Sequence, residues 1–156
     1  MKKRKCLSII VTLIMVCSLF FGATLTAMAS DQPECIDGSY LTNEESSKTT
    51  VGSKTRGIYL KSGSSTLNKL GTGKISAGGD TVGQITVSKI SVGVRVQKLV
   101  NGSWQYYDSW SATNYNSAYV SSSKTMYVPT GYYYRVFRSH SANSDVSDSY
   151  TNGLYI

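Results

Sequence analysis

Histidine occurs once in the 156 residues, proline twice and tryptophan twice, and only nine residues are acidic. Each shortage removes a class of chemistry. Any His-based triad or zinc site would have to use His140, and one histidine with one cysteine beyond the first segment is too few ligands for zinc. There is no Gly-x-Ser-x-Gly turn, and His140 stands among serines near a strand end, so it reads as a surface histidine. Carboxylates are equally sparse: after residue 45 only Asp80, Asp108, Asp145 and Asp148 occur, three of them near turns or loops. A glycosidase needs two carboxyl groups held opposite each other on a scaffold, and this set offers no obvious pair. "GTGK" at 71–74 lacks the Gly-Lys-Ser/Thr ending of a phosphate loop and reads as a hairpin turn. A non-enzymatic protein without a cofactor is therefore expected, with a hydrolase built on His140 as a remote alternative.

Cysteine is short as well, with Cys6 and Cys17 in the first segment and Cys35 alone after it. One cysteine cannot form an internal disulfide, so stability has to come from a packed core. The neighbouring Glu34 and Asp37 disfavour the Cys35 thiolate. A disulfide between two chains is the more natural role for it.

The first residues carry positive charge and then a long run with none. Lys2, Lys3, Arg4 and Lys5 precede "CLSIIVTLIMVCSLFFGATL", and "TAMAS" follows with Ala27 and Ala29 in Ala-x-Ala spacing. This is the pattern of a secretory signal peptide over residues 1–29. The apolar run is near the roughly 20-residue spanning length, so a retained membrane helix is the competing reading. The cleavage pattern directly after it, with no basic stop-transfer cluster, favours removal. Val16 before Cys17 is too large for a lipoprotein cut, and no sorting motif or apolar tail ends the sequence. A secreted, extracellular protein is expected, without membrane attachment after cleavage. Loss of four bases brings the net charge of +7 down to +3. That small excess, with no binding motif, leaves nucleic acid out as a partner. Acids concentrate in residues 30–45 and bases in residues 46–100. The scattered lysines of the second stretch are the kind that keep sheet edges from aggregating.

What the remaining chain has in quantity is Ser, Thr, Val, Tyr and Gly, with no apolar recurrence at 3.6 residues. Residues 30–54 are polar and unperiodic and read as a flexible leader; residues 55–156 read as an all-β domain. Short alternating runs between turn signals indicate an antiparallel two-sheet β-sandwich, immunoglobulin-like, of about seven or eight strands. Leu67 and Ile75 flank the "GTG" turn as inward anchors, and "GGDT" at 78–81 is expected to break the chain.

The clearest local signal is "ISVGVRVQKLVNGSWQYYDSWSA". Asn101-Gly102 is a type I′ turn pair, both positions tolerating positive φ. Folding about it opposes Leu99 to Trp104, Gln97 to Tyr106, Arg95 to Asp108 and Gly93 to Trp110. Opposed residues share a face. Val92, Val94, Val96 and Tyr107 then fall on one side. Trp104, Tyr106, Trp110 and an Arg95–Asp108 ion pair fall on the other.

"NGSWQYYDSWSA" and "PTGYYYRVFRSHSA", read together, resemble a group of small secreted proteins from Gram-positive, clostridial-type bacteria, a family without assigned function. The likeness runs through most of residues 55–156 and includes the signal peptide. It implies an exported bacterial β-domain and carries over no activity or site residues. A looser likeness is to immunoglobulin and fibronectin type III sandwiches. In it "VPTGYYYRV" resembles the turn into a strand whose first tyrosine caps a corner, which would be Tyr132. The cysteine pair of immunoglobulin domains is missing.

In an immunoglobulin-like order the hairpin lies beside "YYYRVF". Arg95, Trp104, Tyr106, Trp110, Tyr133 and Arg135, with Phe137, then form one aromatic–arginine face. Planar aromatics stack on sugar rings, and arginine beside tyrosine or tryptophan suits anionic or protein partners. A secreted module binding a cell-wall or host glycan, or a surface protein, is the leading expectation. A small bacteriocin-like toxin is the alternative. Finally, "TRGIYL" at 55–60 and "TNGLYI" at 151–156 are near copies bracketing the domain. They are expected to be its first and last strands, running parallel side by side, with Ile58, Leu60, Leu154 and Ile156 inward.

Overall fold

A computed structural model describes residues 33–52 and 57–156; the expected signal peptide and residues 55 and 56 lie outside the described residues. Within them the chain forms nine strands and no helix. These are β1 (Cys35–Ile36), β2 (Ser39–Thr42), β3 (Ser46–Gly52), β4 (Leu60–Gly71), β5 (Lys74–Val100), β6 (Ser103–Tyr127), β7 (Tyr133–Ala142), β8 (Asp145–Tyr150) and β9 (Gly153–Tyr155). Asx residues in left-handed conformation start three of the hairpin turns: Asp37 (φ 48°), Asn101 (φ 50°) and Asn143 (φ 48°). Their short polar side chains tolerate this region better than other non-glycine residues do. Gly102 follows Asn101 at φ 74°, so the expected type I′ turn forms.

The all-β expectation holds, but the architecture is one curled mixed sheet of nine strands rather than two separate antiparallel sheets. The reason is the length of β5 and β6. Residues 74–82 of β5 pair with β4 and with the second half of β6, while residues 90–98 pair with β7 and 87–100 with the first half of β6. "GGDT" therefore does not break the chain; β5 passes straight through it, with Gly78 and Gly79 both paired to β4. The ribbon bends in its middle, where pairing lapses between Val82 and Val87 and Asn116 takes φ 48°. One wing then carries β3 and β4, and the other carries β7 with β8, β9, β2 and β1.

Side chains span the bend between the two halves of β6. Lys124 Nζ lies 2.6 Å from Asp108 Oδ2, Trp110 Nε1 donates to Ser122 Oγ at 3.0 Å, and Asn114 Nδ2 donates to the Tyr119 carbonyl at 2.8 Å. Asp108 is thus paired to Lys124, not to Arg95. That hydrogen bond holds its carboxyl below the ordinary carboxylate value.

The interior has two apolar clusters. One gathers Leu67, Ile75, Ala77, Val94, Val96, Val128, Tyr134, Val136 and Leu154; the other Leu60, Val87, Ile90, Val92, Val120 and Ala142. Leu67, Ile75 and the valine series are inward as their alternation implied. Tyr134, rather than Tyr132, makes the corner bond, its hydroxyl donating to the Pro129 carbonyl at 2.8 Å. Tyr132 stays exposed.

Residues 33–52, expected as part of a flexible leader, instead supply β1, β2 and β3. "SSKTTVG" is polar, but its Thr and Val fit a pleated edge, and it pairs with β4 over seven residues, from Ser46–Asn68 to Gly52–Ser62. This also revises the closure. The last strand does pair parallel with an early one, but the partner is β2, through Leu41–Gly153 and Thr42–Leu154. Leu60 and Leu154 lie in different apolar clusters, and Ile58 is exposed. The two hexapeptides are not neighbours; β7 and β5 separate β9 from β4.

Candidate functional site

β7 alternates cleanly and so divides the molecule's chemistry between two sides. Tyr134, Val136, Arg138, His140 and Ala142 are all buried and turn inward, while Tyr133, Arg135, Phe137 and Ser139 take the opposite, outer side. The expected aromatic–arginine face lies on that outer side, in altered form.

A β-bulge makes the first alteration. Gln97 opposes Tyr106 as the turn geometry implied, but Val96 opposes Asp108, so Tyr107 is an extra residue on β6. Beyond a bulge every opposed pair shifts by one, and with it the face. Trp110 therefore opposes Val94 rather than Gly93 and packs against the first apolar cluster. Tyr107, as expected, packs inward, meeting Tyr134 edge-on with centroids 5.6 Å apart.

The second alteration is a cover. The β1–β2 hairpin lies over Trp104 and Arg135. Trp104 Nε1 donates to the Ile36 carbonyl at 3.0 Å. Arg135 donates through Nε to Gln97 Oε1 at 2.8 Å and through a terminal nitrogen to the Asp37 carbonyl and Ser39 Oγ, both at 3.1 Å. Its guanidinium lies between two rings, with Cζ 4.6 Å from the Trp104 centroid and 5.5 Å from that of Tyr150. Only 7% of Arg135 is exposed, and that burial lowers its pKa. Ser39 Oγ in turn donates to the Thr151 carbonyl at 2.8 Å. A side chain at Gly153 would come within 2.7 Å of the Trp104 ring, so that glycine is what lets β9 pass under it.

The uncovered part of the face is smaller. Arg95 is exposed and lies over Phe137, with Cζ 5.8 Å from the ring centroid. Beside it is a shallow groove of about 160 Å³ bordered by Gly93, Arg95, Ser109, Trp110, Phe137 and Ser139. Gly93 forms its floor; a Cβ there would meet Ser139 Oγ at 2.6 Å. Tyr106 is 65% exposed, and its hydroxyl approaches Ser109 Oγ at 3.3 Å. Tyr150 opposes Phe137 on β8 and Asp148 opposes Ser139. Lys98, which opposes Tyr134 and so lies on the other face of the sheet, stands 4.4 Å above the Tyr132 ring. Of the six expected residues, then, Arg95 and Trp110 border the groove, Trp110 half-buried with its packing toward the first apolar cluster, and Tyr106 flanks it. Tyr133 is half-buried against Tyr155, and Trp104 and Arg135 hold the hairpin. Sequence reasoning missed Tyr150 and Ser139; their signal was the alternation of "SYTNG" and "RSHSA", read without knowing which strand lay alongside.

His140 is not a surface histidine. It is 1% exposed, with Nδ1 2.8 Å from Thr81 Oγ1 and Nε2 2.8 Å from Ser149 Oγ. Burial, with the nearby Arg138 charge, lowers its pKa to about 4, so the ring is neutral at pH 7. Ser149 is as sealed as the ring, and the orienting group is a hydroxyl where a triad would place a carboxylate. Arg138 is fully buried and donates to the carbonyls of Ser64 and Ser122 at 3.1 and 2.7 Å. Desolvation lowers its pKa to about 10, the charge of Asp80 acting in the other direction. Among the described residues no group of three His, Cys, Asp or Glu side chains could hold a metal ion. Cys35 is free and exposed on β1.

Fold and surface together define an all-β domain with a bolted polar interior and a partly covered aromatic–cationic face. The chain belongs to the family of unknown function DUF6147, whose model matches residues 32–154. That span takes in β1 to β3 as well as the strands expected from residue 55 onward. No curated protein matches the chain.

Proposed function

We propose that this is a secreted, non-enzymatic binding module for a surface glycan carrying an anionic group, with the Arg95 groove as its contact. The observation that carries the reading is the exposed Arg95 guanidinium laid over Phe137 at the edge of a glycine-floored groove. An arginine already ordered on a ring loses little further freedom on binding and can meet a carboxylate or phosphate with two hydrogen bonds. Ser109, Ser139 and the Tyr106 hydroxyl supply both donors and acceptors around it. Arg95 gives that side positive charge to draw an anionic polymer. A cell-wall glycan is the first partner, since an exported chain meets it before anything else.

The test is co-sedimentation with purified cell walls and binding to a glycan array. Arg95→Ala and Phe137→Ala are each expected to weaken binding about tenfold, and rising salt should weaken the wild type further. Full binding by the Arg95→Ala, Phe137→Ala double variant, or none by the wild type, rejects the reading.

A further inference from the structure

A larger cavity, of about 580 Å³, opens between the β4–β5 turn, the segment leading into β7 and the C-terminal residues. Its chemistry is carried by Glu45, Lys69, Thr72, Thr130, Tyr155 and Ile156. We propose that it is a second binding site, taking a neutral sugar unit of one or two pyranose rings. The volume lies within the range of small-molecule sites.

Lys69 is held rather than free. Its Nζ donates to the Asn43 carbonyl at 3.1 Å and lies 3.6 Å from Glu45 Oε1, with 16% of the lysine side chain exposed against 83% of the glutamate. An ammonium has three N–H donors, so one remains for a ligand, beside carboxylate oxygens with open lone pairs. A donor next to an acceptor, with the charges cancelling, selects neither an anion nor a cation. It fits neighbouring hydroxyls, which donate and accept in turn, and the Thr72 and Thr130 hydroxyls extend the same pattern. Tyr155 is 43% exposed, and its ring is steadied by Tyr133, centroids 5.2 Å apart. A fixed ring beside Ile156 gives the C–H side of a pyranose a flat apolar surface. The mouth is open at Gly71 and Gly131, since a Cβ at either would have nothing within 4 Å. A single carboxylate is too little for a metal ion, and Glu45 would repel a phosphate. An extended peptide would need an unpaired strand edge, yet β4 and β9 both have partners on either side.

The site is independent of the Arg95 groove, and the experiment keeps the two apart. Methyl glycosides of glucose, galactose, mannose and N-acetylglucosamine, with the matching disaccharides, are titrated by NMR against the full chain; glycyl-alanine serves as the peptide arm. At least one sugar should saturate with a dissociation constant on the order of 1 mM. Tyr155→Ala and Lys69→Met should each weaken it about tenfold, Glu45→Gln at an exposed position should weaken it with an unchanged melting temperature, and Arg95→Ala should leave it as it was. Failure of every sugar to saturate overturns the proposal. So does saturation by glycyl-alanine in place of the sugars, or sugar binding indifferent to Tyr155→Ala and Lys69→Met.

Discussion

His140 shows how far a residue's surroundings outweigh its identity. Between two serines in sequence it suggests exposure; on β7 it falls on the inward register, one step beyond Arg138. Both ring nitrogens meet hydroxyls, and a charged imidazolium there would face the Arg138 cation, with Asp80 as the compensating carboxylate. Its folded pKa of about 4 lies below the ordinary 6.5, so the unfolded chain takes up this proton first as pH falls. Stability is therefore whole above the ordinary histidine value and declines between there and about pH 4. The loss over that window should reach about 3 kcal/mol. Asp108 and Asp145, whose pKa values are lowered below 3.8, lose their contribution only in more acidic solution, beneath this window. Urea unfolding at a series of pH values measures the slope. His140→Gln should remove it between neutral pH and the histidine value in the fold, whatever its cost at pH 7; an equal slope in the variant would show that another group titrates.

The strand elements show what was legible and what was not. Several signals that depend on neighbours in sequence read true: the Asn101-Gly102 turn, the inward Val92, Val94 and Val96, and the Leu67 and Ile75 pair, whereas the Gly78-Gly79 break did not, because β4 pairs across it. The bulge at Tyr107 was invisible, because nothing in "QYYDSW" marks which tyrosine is extra, and it decided the side taken by Trp110. The β1–β2 hairpin was hidden for a different reason. It is short and polar, and its partners lie in distant sequence: Trp104, Arg135 and Thr151. A two-stranded hairpin of this size is not stable alone, so those anchors account for its order. Arg135→Ala removes bonds to Asp37, Ser39 and Gln97 together and should cost about 2 kcal/mol, with Trp104→Phe costing about 1 kcal/mol for its single bond to Ile36. Amide exchange gives the sharper readout. Protection should fall in residues 35–42 while β5 and β7 stay protected. Uniform loss across the sheet would mean that Arg135 supports the core rather than the hairpin.

At the scale of the whole molecule the problem is how a single curled sheet holds its wings together. Two apolar clusters do part of this, and the polar residues between them do the rest. Arg138 reaches from β7 to the carbonyls of Ser64 on β4 and Ser122 on β6, and His140 joins Thr81 on β5 to Ser149 on β8. Composition could not reveal this, since a lone arginine in "VFRSH" is as ordinary on a surface as inside. A buried charge is stabilising only relative to its own broken form: removing one partner strands the other in a desolvated place. Asp80, bonded by Ser64, is the carboxylate whose charge favours the Arg138 cation. Arg138→Met keeps the stem's volume but leaves two carbonyls without their donor and Asp80 without its neighbouring positive charge, and should destabilise by about 3 kcal/mol. Asp80→Asn alone should cost less, because the hydroxyl of Ser64 can still bond the amide oxygen. If the two residues are coupled across the interior, the double variant should be more stable than the sum of the single losses implies, by about 1 kcal/mol or more. Guanidinium unfolding of the four proteins measures this, and strictly additive losses would show that Arg138 is held by its carbonyls alone.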